Sequence, residues 1–239
     1  MIESILILAA GDGKRMLPLT MKTPKPLLGL SDNQNTILDR LLNQCEEYFP
    51  EIPVFVNISK MADKFISHYL NREFTRRPIF LYERDKLGPA ATVVKFLDNY
   101  QTRTLVIHGD NVLSNRGFGL LANLIRTNTN QILVCHNRPK VQARSVVIVK
   151  NRKVLKVNEV SVDVNIDEDS YETVLVNSGI FVIHPHDFSD FNVMKGESIS
   201  PRLINFVSDR SRLEFYVWTC WRFAVDSYET LLEARIKLS

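Results

Sequence analysis

The amino-acid sequence predicts an α/β fold: a mainly parallel sheet flanked by helices on both faces. Three observations point there. Short apolar runs alternate with amphipathic stretches through residues 5–136, the pattern of strands joined by crossover helices. The first run, Ile5-Leu6-Ile7-Leu8, is apolar at every position, as a strand covered on both faces must be. Two runs stop abruptly at glycine and polar residues, at Gly11-Asp12-Gly13 and Gly109-Asp110-Asn111. In such sheets ligands sit beyond the carboxyl ends of the strands, so Gly11 and Asp110 are expected in one crevice.

Each element follows from its local pattern. Thr36–Tyr48 reads as a helix, because Ile37, Leu38, Leu41, Leu42 and Cys45 share a face, with Asn35 or Thr36 as the cap. Pro53–Asn57 is a strand. Ala62–Leu70 is a helix with Phe65, Ile66 and Tyr69 inward, and Pro78–Tyr82 is a strand. A helix runs from Gly88-Pro89 to Asn99, with proline at its favoured first position. Thr104–His108 is a strand, Phe118–Asn128 a helix and Gln131–His136 a strand. The second half changes character. Ser145–Val149 and Val154–Asn158 form a hairpin around Lys150-Asn151-Arg152. Val174–His184 is a strand broken at Asn177-Ser178-Gly179. Ser198–Ser208 is a helix with Pro201 in its first turn, Glu214–Thr219 a strand and Tyr228–Ile236 the closing helix. No Gly-, Ser- or Pro-rich linker divides the chain, which predicts one domain: a nucleotide-binding half over about 1–136 and a second-substrate half over about 137–239.

Composition bounds the function. Of 239 residues, 45% are apolar and 24% charged, enough for a sizeable core. The net charge of +3 is too weak to argue for nucleic acid or an anionic membrane. No apolar run reaches membrane-spanning length, and no signal peptide is read at the amino end. Cys45, Cys135 and Cys220 are odd in number and have no metal spacing. They are expected as reduced thiols of a cytoplasmic protein.

The stretch around the first glycines carries the chemistry. Leu8-Ala9-Ala10-Gly11-Asp12-Gly13-Lys14-Arg15 is followed by Pro18, Thr20 and then Pro24-Lys25-Pro26-Leu27-Leu28. A strand, a glycine turn and fixed cations make a site for a polyanion, a nucleotide phosphate chain above all. It is not a P-loop, which needs glycine at position 8 and Ser or Thr at 15, where Leu8 and Arg15 stand. It is not the dinucleotide fingerprint either, because Met16 replaces the third glycine.

What remains, Gly-x-Gly-x-Arg-x-x-Pro-x-Thr and Pro-Lys-Pro-Leu-Leu, resembles the signature of the sugar-phosphate nucleotidylyltransferases. The compact length is similar to that of the short sugar-1-phosphate guanylyl- and uridylyltransferases, with no carboxy-terminal repeat domain expected. The resemblance implies a Rossmann-like, GT-A-like fold with a sugar-binding insertion. It also implies transfer of a nucleotidyl group from an NTP to a sugar 1-phosphate, with a magnesium ion as cofactor. By this resemblance Arg15 meets the departing β- and γ-phosphates, and Lys25 meets the α-phosphate and attacking oxygen. Leu8, Ala10, Gly11, Gly13, Lys14 and Gly88 line the nucleotide, and Glu159, Asn177 and Gly179 the sugar. Asp110, in a Gly-Asp pair, and Asp226 are the metal carboxylates. The implied partners are the two small substrates, with a homo-oligomer possible and neither nucleic acid nor membrane.

Several positions depart from the family pattern. Aligned on Trp221, the second metal aspartate becomes Phe223; aligned on an Asp-Thr-Pro-Glu-Asp ending, Asp226 fits, though an aspartate before a helix is also a standard N-cap. Pro89 replaces threonine, and Glu159-Val160-Ser161 lacks the usual lysine. Asn177 and Gly179 also suit a buried β-bulge. His108 is expected to pack at its strand end, and Arg72–Arg77 to be a solvated surface. Two other readings stay open: cytidylyl transfer to phosphocholine, and a non-catalytic nucleotide- or sugar-binding regulatory subunit. Base and sugar are not named by the sequence.

Overall fold

The structure is a computed structural model that describes residues 1–30, 35–70, 77–128, 131–136, 145–150, 153–159, 173–188, 191, 204–210 and 213–239. In chain order the strands are β1 (Ser4–Leu8), β2 (Val54–Ile58), β3 (Ile79–Tyr82), β4 (Thr104–His108), β5 (Asn111–Leu113), β6 (Gln131–His136), β7 (Ser145–Lys150), β8 (Lys153–Glu159), β9 (Thr173–Ile183), β10 (Leu213–Val217) and β11 (Arg222–Ala224). The helices are α1 (Ile37–Tyr48), α2 (Ala62–Leu70), α3 (Pro89–Tyr100), α4 (Asn115–Thr127), α5 (Ile204–Arg210) and α6 (Tyr228–Leu238). The α/β class expected from the alternation, Rossmann-like as the resemblance implied, is the class observed. The chain divides into two compact units that interleave along the sequence. One holds Glu3–Lys86, Ile107–Leu124 and Cys220–Ser239; the other holds Met1–Ile2, Leu87–Val106 and Ile125–Thr219.

In the first unit the strands run parallel in the order β3-β2-β1. Ile5, Leu6 and Ile7 are fully buried, as the all-apolar run required. Thr36 caps α1 in a reciprocal box with Asp39, which satisfies two orphan amides of the first turn. Asp39 is buried and also accepts from Tyr69 Oη at 2.8 Å, while His68 Nε2 lies 3.1 Å away, so α1 and α2 are stapled at this carboxylate. Of the three α2 residues expected inward, Phe65 and Tyr69 are buried, but Ile66 is 51% exposed. The inward stripe has a four-residue step, and Ile66 lies about 100° round the helix from Phe65. The strands β5 and β11, not foreseen, pair antiparallel. Under them a core of Met16, Leu28, Leu30, Ile37, Val112, Val225, Leu231 and Ala234 is covered by Trp221, Phe223 and Leu238.

In the second unit five strands follow the order β9-β6-β10-β8-β7, and β7 also pairs with β9. The ring of strands so closed leaves no edge among these five. The expected hairpin is present as β7 and β8 in antiparallel register; its turn at Asn151-Arg152 lies outside the described residues. So do Arg72–Arg76, Val160-Ser161 and the first turn expected for the helix at Ser198, of which α5 is described. Cys45 and Cys135 are buried, and burial pushes the Cys45 thiol up to about 12. Among the described residues no helix is long and apolar enough to cross a membrane.

Candidate active site

The glycine turn is fixed by its own sequence. Gly13 has φ 62°, and a Cβ there would lie 2.9 Å from Thr20 Cγ2. Thr20 Oγ1 donates to the Gly13 carbonyl at 2.8 Å. The spacing from Gly13 to Thr20 is therefore one closed loop, in which only glycine fits the left-handed backbone. Gly11 differs: nothing lies within 4 Å of where its Cβ would point, so its backbone is open to a ligand. Between Gly13 and Thr20, Met16 sinks into the core beneath β5 and β11, which leaves Lys14 and Arg15 on the surface.

Lys25 sits between two buried prolines, Pro24 and Pro26, and starts a short 3-10 turn that puts Leu27 in the interior. Its Nζ donates to Asp110 Oδ2 at 2.7 Å and to Asp226 Oδ1 at 3.2 Å. Arg15 Nη2 lies 3.3 Å from the same Asp226 oxygen. Asp110 is positioned by Gly109, whose Cβ would meet the Leu8 carbonyl at 2.8 Å, so this turn can press against the end of β1 only as glycine. Asp226 is positioned by the β5–β11 ribbon: Asn111 is in register with Ala224, and the Val225 amide donates to the Asp110 carbonyl at 2.9 Å.

The two alignments of the carboxy-terminal segment single out residues with different surroundings. Phe223 pairs with Val112 and packs with Trp221 over the core, so it is a structural residue. The carboxylate beside Lys25 is Asp226. Nor is Asp226 the helix cap, because Ser227 and Thr230 form the capping box of α6.

The electrostatics follow from partial burial. The Lys25 side chain is 13% exposed, Asp110 21% and Asp226 24%. Burial alone would lower the Lys25 pKa, but the charges of Asp110 and Asp226 outweigh it and hold the ammonium above its ordinary range. Burial alone would raise Asp110; Lys25 outweighs it and holds the carboxyl below the usual range. Asp12, between the two glycines, is held low first by its hydrogen bond from Lys86, 3.0 Å away, with Lys60 at 3.8 Å. Burial depresses the His108 imidazole, consistent with a packed residue. Among the described residues no cluster of three or more His, Cys, Asp or Glu stands ready for a metal. Two hard carboxylate oxygens converging on one cation do suit magnesium, which takes one or two carboxylates and completes its shell with water and substrate phosphates.

A family profile described as nucleotidyl transferase matches residues 4–159. The chain belongs to the nucleotidyl transferase family. It is 24% identical over 176 residues, 74% of this chain and 39% of the relative, to a bifunctional protein GlmU from Methanococcus aeolicus. It is 27% identical over 105 residues to the GlmU of Methanococcus vannielii, covering 44% of this chain and 24% of that protein. It thus spans well under half the length of these curated relatives. A UDP-glucose pyrophosphorylase solved with UDP-glucose superposes with a TM-score of 0.78 at 16% identity, over 100% of this chain and 98% of that one. HddC from Yersinia pseudotuberculosis superposes with 0.76 at 18% identity over 100% of both chains. These likenesses show the same fold.

In this chain Leu8, Ala10, Gly11, Gly13, Lys14, Arg15, Lys25, Asp110 and Asp226 lie in the first unit, and the charged groups of Arg15, Lys25, Asp110 and Asp226 meet. Gly88, Glu159, Asn177 and Gly179 belong to the second unit. Gly88 has φ 92° and precedes α3, with Pro89 in its first turn, where the missing amide costs no helical bond. On β9 the Asn177 side chain accepts from Gly179 N at 2.8 Å, Gly179 has φ 66°, and the register with β6 shifts there. The expected break is thus a β-bulge within a continuous strand. Glu159 ends β8 opposite Ser145, whose neighbour Val146 faces Val176, so Glu159 and Asn177 share one end of this strand set. Two residues of the first unit were not foreseen. Asn57 Oδ1 accepts from Ala9 N at 2.7 Å, and Asn57 Nδ2 donates to Glu83 Oε1 at 3.0 Å. Both are polar groups at the carboxyl ends of apolar strands, the signal that had marked Asp110.

Proposed function

We propose that this chain transfers a nucleotidyl group from a nucleoside triphosphate to a sugar 1-phosphate, releasing an NDP-sugar and pyrophosphate. The observation that carries the proposal is the meeting of Arg15, Lys25, Asp110 and Asp226 in the unit that holds an open glycine turn. In this reaction an acceptor phosphate oxygen bonds to the α-phosphorus, and the bond from that phosphorus to the bridging oxygen of the pyrophosphate breaks. The protein has to position the groups and neutralise charge. Lys25, a compact ammonium held by a stiff Pro-Lys-Pro backbone, meets the α-phosphate and the entering oxygen. Arg15, 54% exposed, forks onto the leaving β- and γ-phosphates. The backbone of Gly11 and Gly13, with Leu8, Ala10 and Lys14, lines the nucleotide. Asn177, Gly179 and Glu159 line the sugar. Asp110 and Asp226 would hold a magnesium ion, which when bound supplies charge neutralisation at the phosphate oxygens.

Two further observations support this reading. The family match covers Arg15, Lys25 and Asp110, and one structure of this fold is of a UDP-glucose pyrophosphorylase. The non-catalytic alternative leaned on Phe223, Val160 and Pro89; packing gives Phe223 a structural reason to be there, the first turn of α3 gives Pro89 one, and Val160 lies outside the described residues. The test is pyrophosphate release with magnesium across the common NTPs, each paired with a panel of sugar 1-phosphates and with phosphocholine. Release is expected for a sugar 1-phosphate pairing, falling about 10²- to 10³-fold in Lys25→Ala. Release with phosphocholine alone would replace the acceptor class. No release from a folded protein that binds nucleotide would return the non-catalytic reading.

A further inference from the structure

The phosphate-facing turn does not set its own direction. β1 ends at Leu8, in register with Asn57 of β2, which is itself in register with Leu81 of β3. The amides of Ala9 and Ala10, the last before Gly11, need acceptors of their own. Asn57 provides them: its Oδ1 accepts from Ala9 N at 2.7 Å and from Ala10 N at 3.4 Å. Asn57 is 4% exposed and Glu83 9%. The Glu83 main chain is pinned, its amide donating to Ile58 O at 2.8 Å and its carbonyl accepting from Ser59 Oγ at 2.9 Å. A side-chain amide has two possible orientations. Glu83 Oε1, 3.0 Å from Asn57 Nδ2, selects one. The flipped amide would turn its NH₂ against two backbone N–H groups and its oxygen against a carboxylate oxygen.

We infer that Asn57, oriented by Glu83, is a positioning residue for the nucleotide. It fixes the peptide planes at Ala9 and Ala10, and with them the direction in which Gly11 presents its open backbone. The inference rests on the function proposed above, and it concerns residues that act through the loop.

A swap of hydrogen-bond polarity tests it. Asn57→Asp keeps an acceptor for both amides but sets a carboxylate against Glu83. Adding Glu83→Gln restores a donor between them, so the bond between positions 57 and 83 is remade with its direction reversed while the Ala9 and Ala10 amides still donate to residue 57. UTP, GTP, CTP and dTTP are titrated by calorimetry well below each variant's melting temperature, and the tightest binder is then used throughout. Asn57→Asp is expected to weaken it about tenfold and the double variant to return most of that loss. In turnover, KM for that nucleotide rises more than kcat falls. Glu83→Ala leaves Asn57 in place without its orienting partner and is expected to weaken binding too. Unchanged affinity in Asn57→Asp and Glu83→Ala, with only a lower melting temperature, would make the pair structural and overturn the inference. Failure of Glu83→Gln to rescue Asn57→Asp would do the same. An unsubstituted chain that binds none of the four nucleotides would instead overturn the proposed function, and this inference with it.

Discussion

At the scale of single residues, Lys25 stands where two demands compete. Its ammonium shares the oxygens of Asp110 and Asp226 at 2.7 and 3.2 Å, and a divalent cation at these carboxylates would need the same lone pairs. On the proposed function, Lys25 of the nucleotide-free protein would oppose metal binding, and a triphosphate, by offering Lys25 another anion, would relieve that opposition. Lys25→Met is expected to bind Mn²⁺ about tenfold more tightly than the unsubstituted chain when no nucleotide is present. Asp110→Asn in the same background should remove the gain. Titration followed by electron paramagnetic resonance reads this without turnover. Equal or weaker Mn²⁺ binding in Lys25→Met would show that the lysine does not guard the carboxylates. Arg15 and Lys25 were legible because motif spacing marks them, and Asp110 because it stands in a Gly-Asp pair at the end of an apolar strand. Asn57 and Glu83 were not, because a polar residue ending a strand gains its meaning only from the loop it meets across the sheet.

At the scale of elements, the junction of α1 and α2 converges on one buried carboxylate. Burial alone would raise the Asp39 pKa; the hydrogen bonds from Thr36 and Tyr69 and the nearby His68 outweigh it and hold it below the usual range. The sign follows. A depressed native pKa adds stability above the unfolded carboxylate value of about 3.9, and that stability is lost as pH falls through the native pKa. Asp39→Asn is therefore expected to cost about 1–3 kcal/mol at pH 7, and the deficit should shrink as the pH approaches 3. Urea unfolding at the two pH values measures it; a deficit that does not depend on pH would show that the charge is not what matters. The Thr36 end of this network was readable as a cap before an apolar helical stripe. The Asp39 contacts to His68 and Tyr69, about thirty positions away, were not. Equally hidden were β5 and β11, three-residue strands too short to show any alternation, whose pairing joins residues as distant in sequence as Asn111 and Ala224. That unseen ribbon is why aligning on Trp221 led to Phe223, whereas its register leads to Asp226.

At the scale of the whole chain, the candidate site is assembled from segments that no local pattern connects. Residues 15 and 25 come from the start, 110 from the middle and 226 from the end, and the last twenty residues belong to the same compact unit as the first strand. Those twenty residues do more than bring a carboxylate. Val225 and Leu231 are 0% and 1% exposed and close the core over Met16, Leu28 and Ile37. At about 1.5–3 kcal/mol for each fully buried side chain, these two alone contribute about 3–6 kcal/mol, comparable to the whole stability of many domains. Arg235 adds two donors to the Gly29 carbonyl at 3.0 and 2.8 Å, tying α6 to the segment that follows Lys25. A chain ending at Thr219 should therefore lose more than Asp226. Its first unit is expected to unfold without cooperativity or at much lower urea, with amide protection lost in β1 as well as in α1. Asp226→Asn, by contrast, should keep the unfolding midpoint within about 1 kcal/mol of the unsubstituted chain and lose activity alone. Hydrogen exchange on the two variants separates the cases. Full protection of β1 in the shortened chain would mean that the first unit folds without its carboxy-terminal segment.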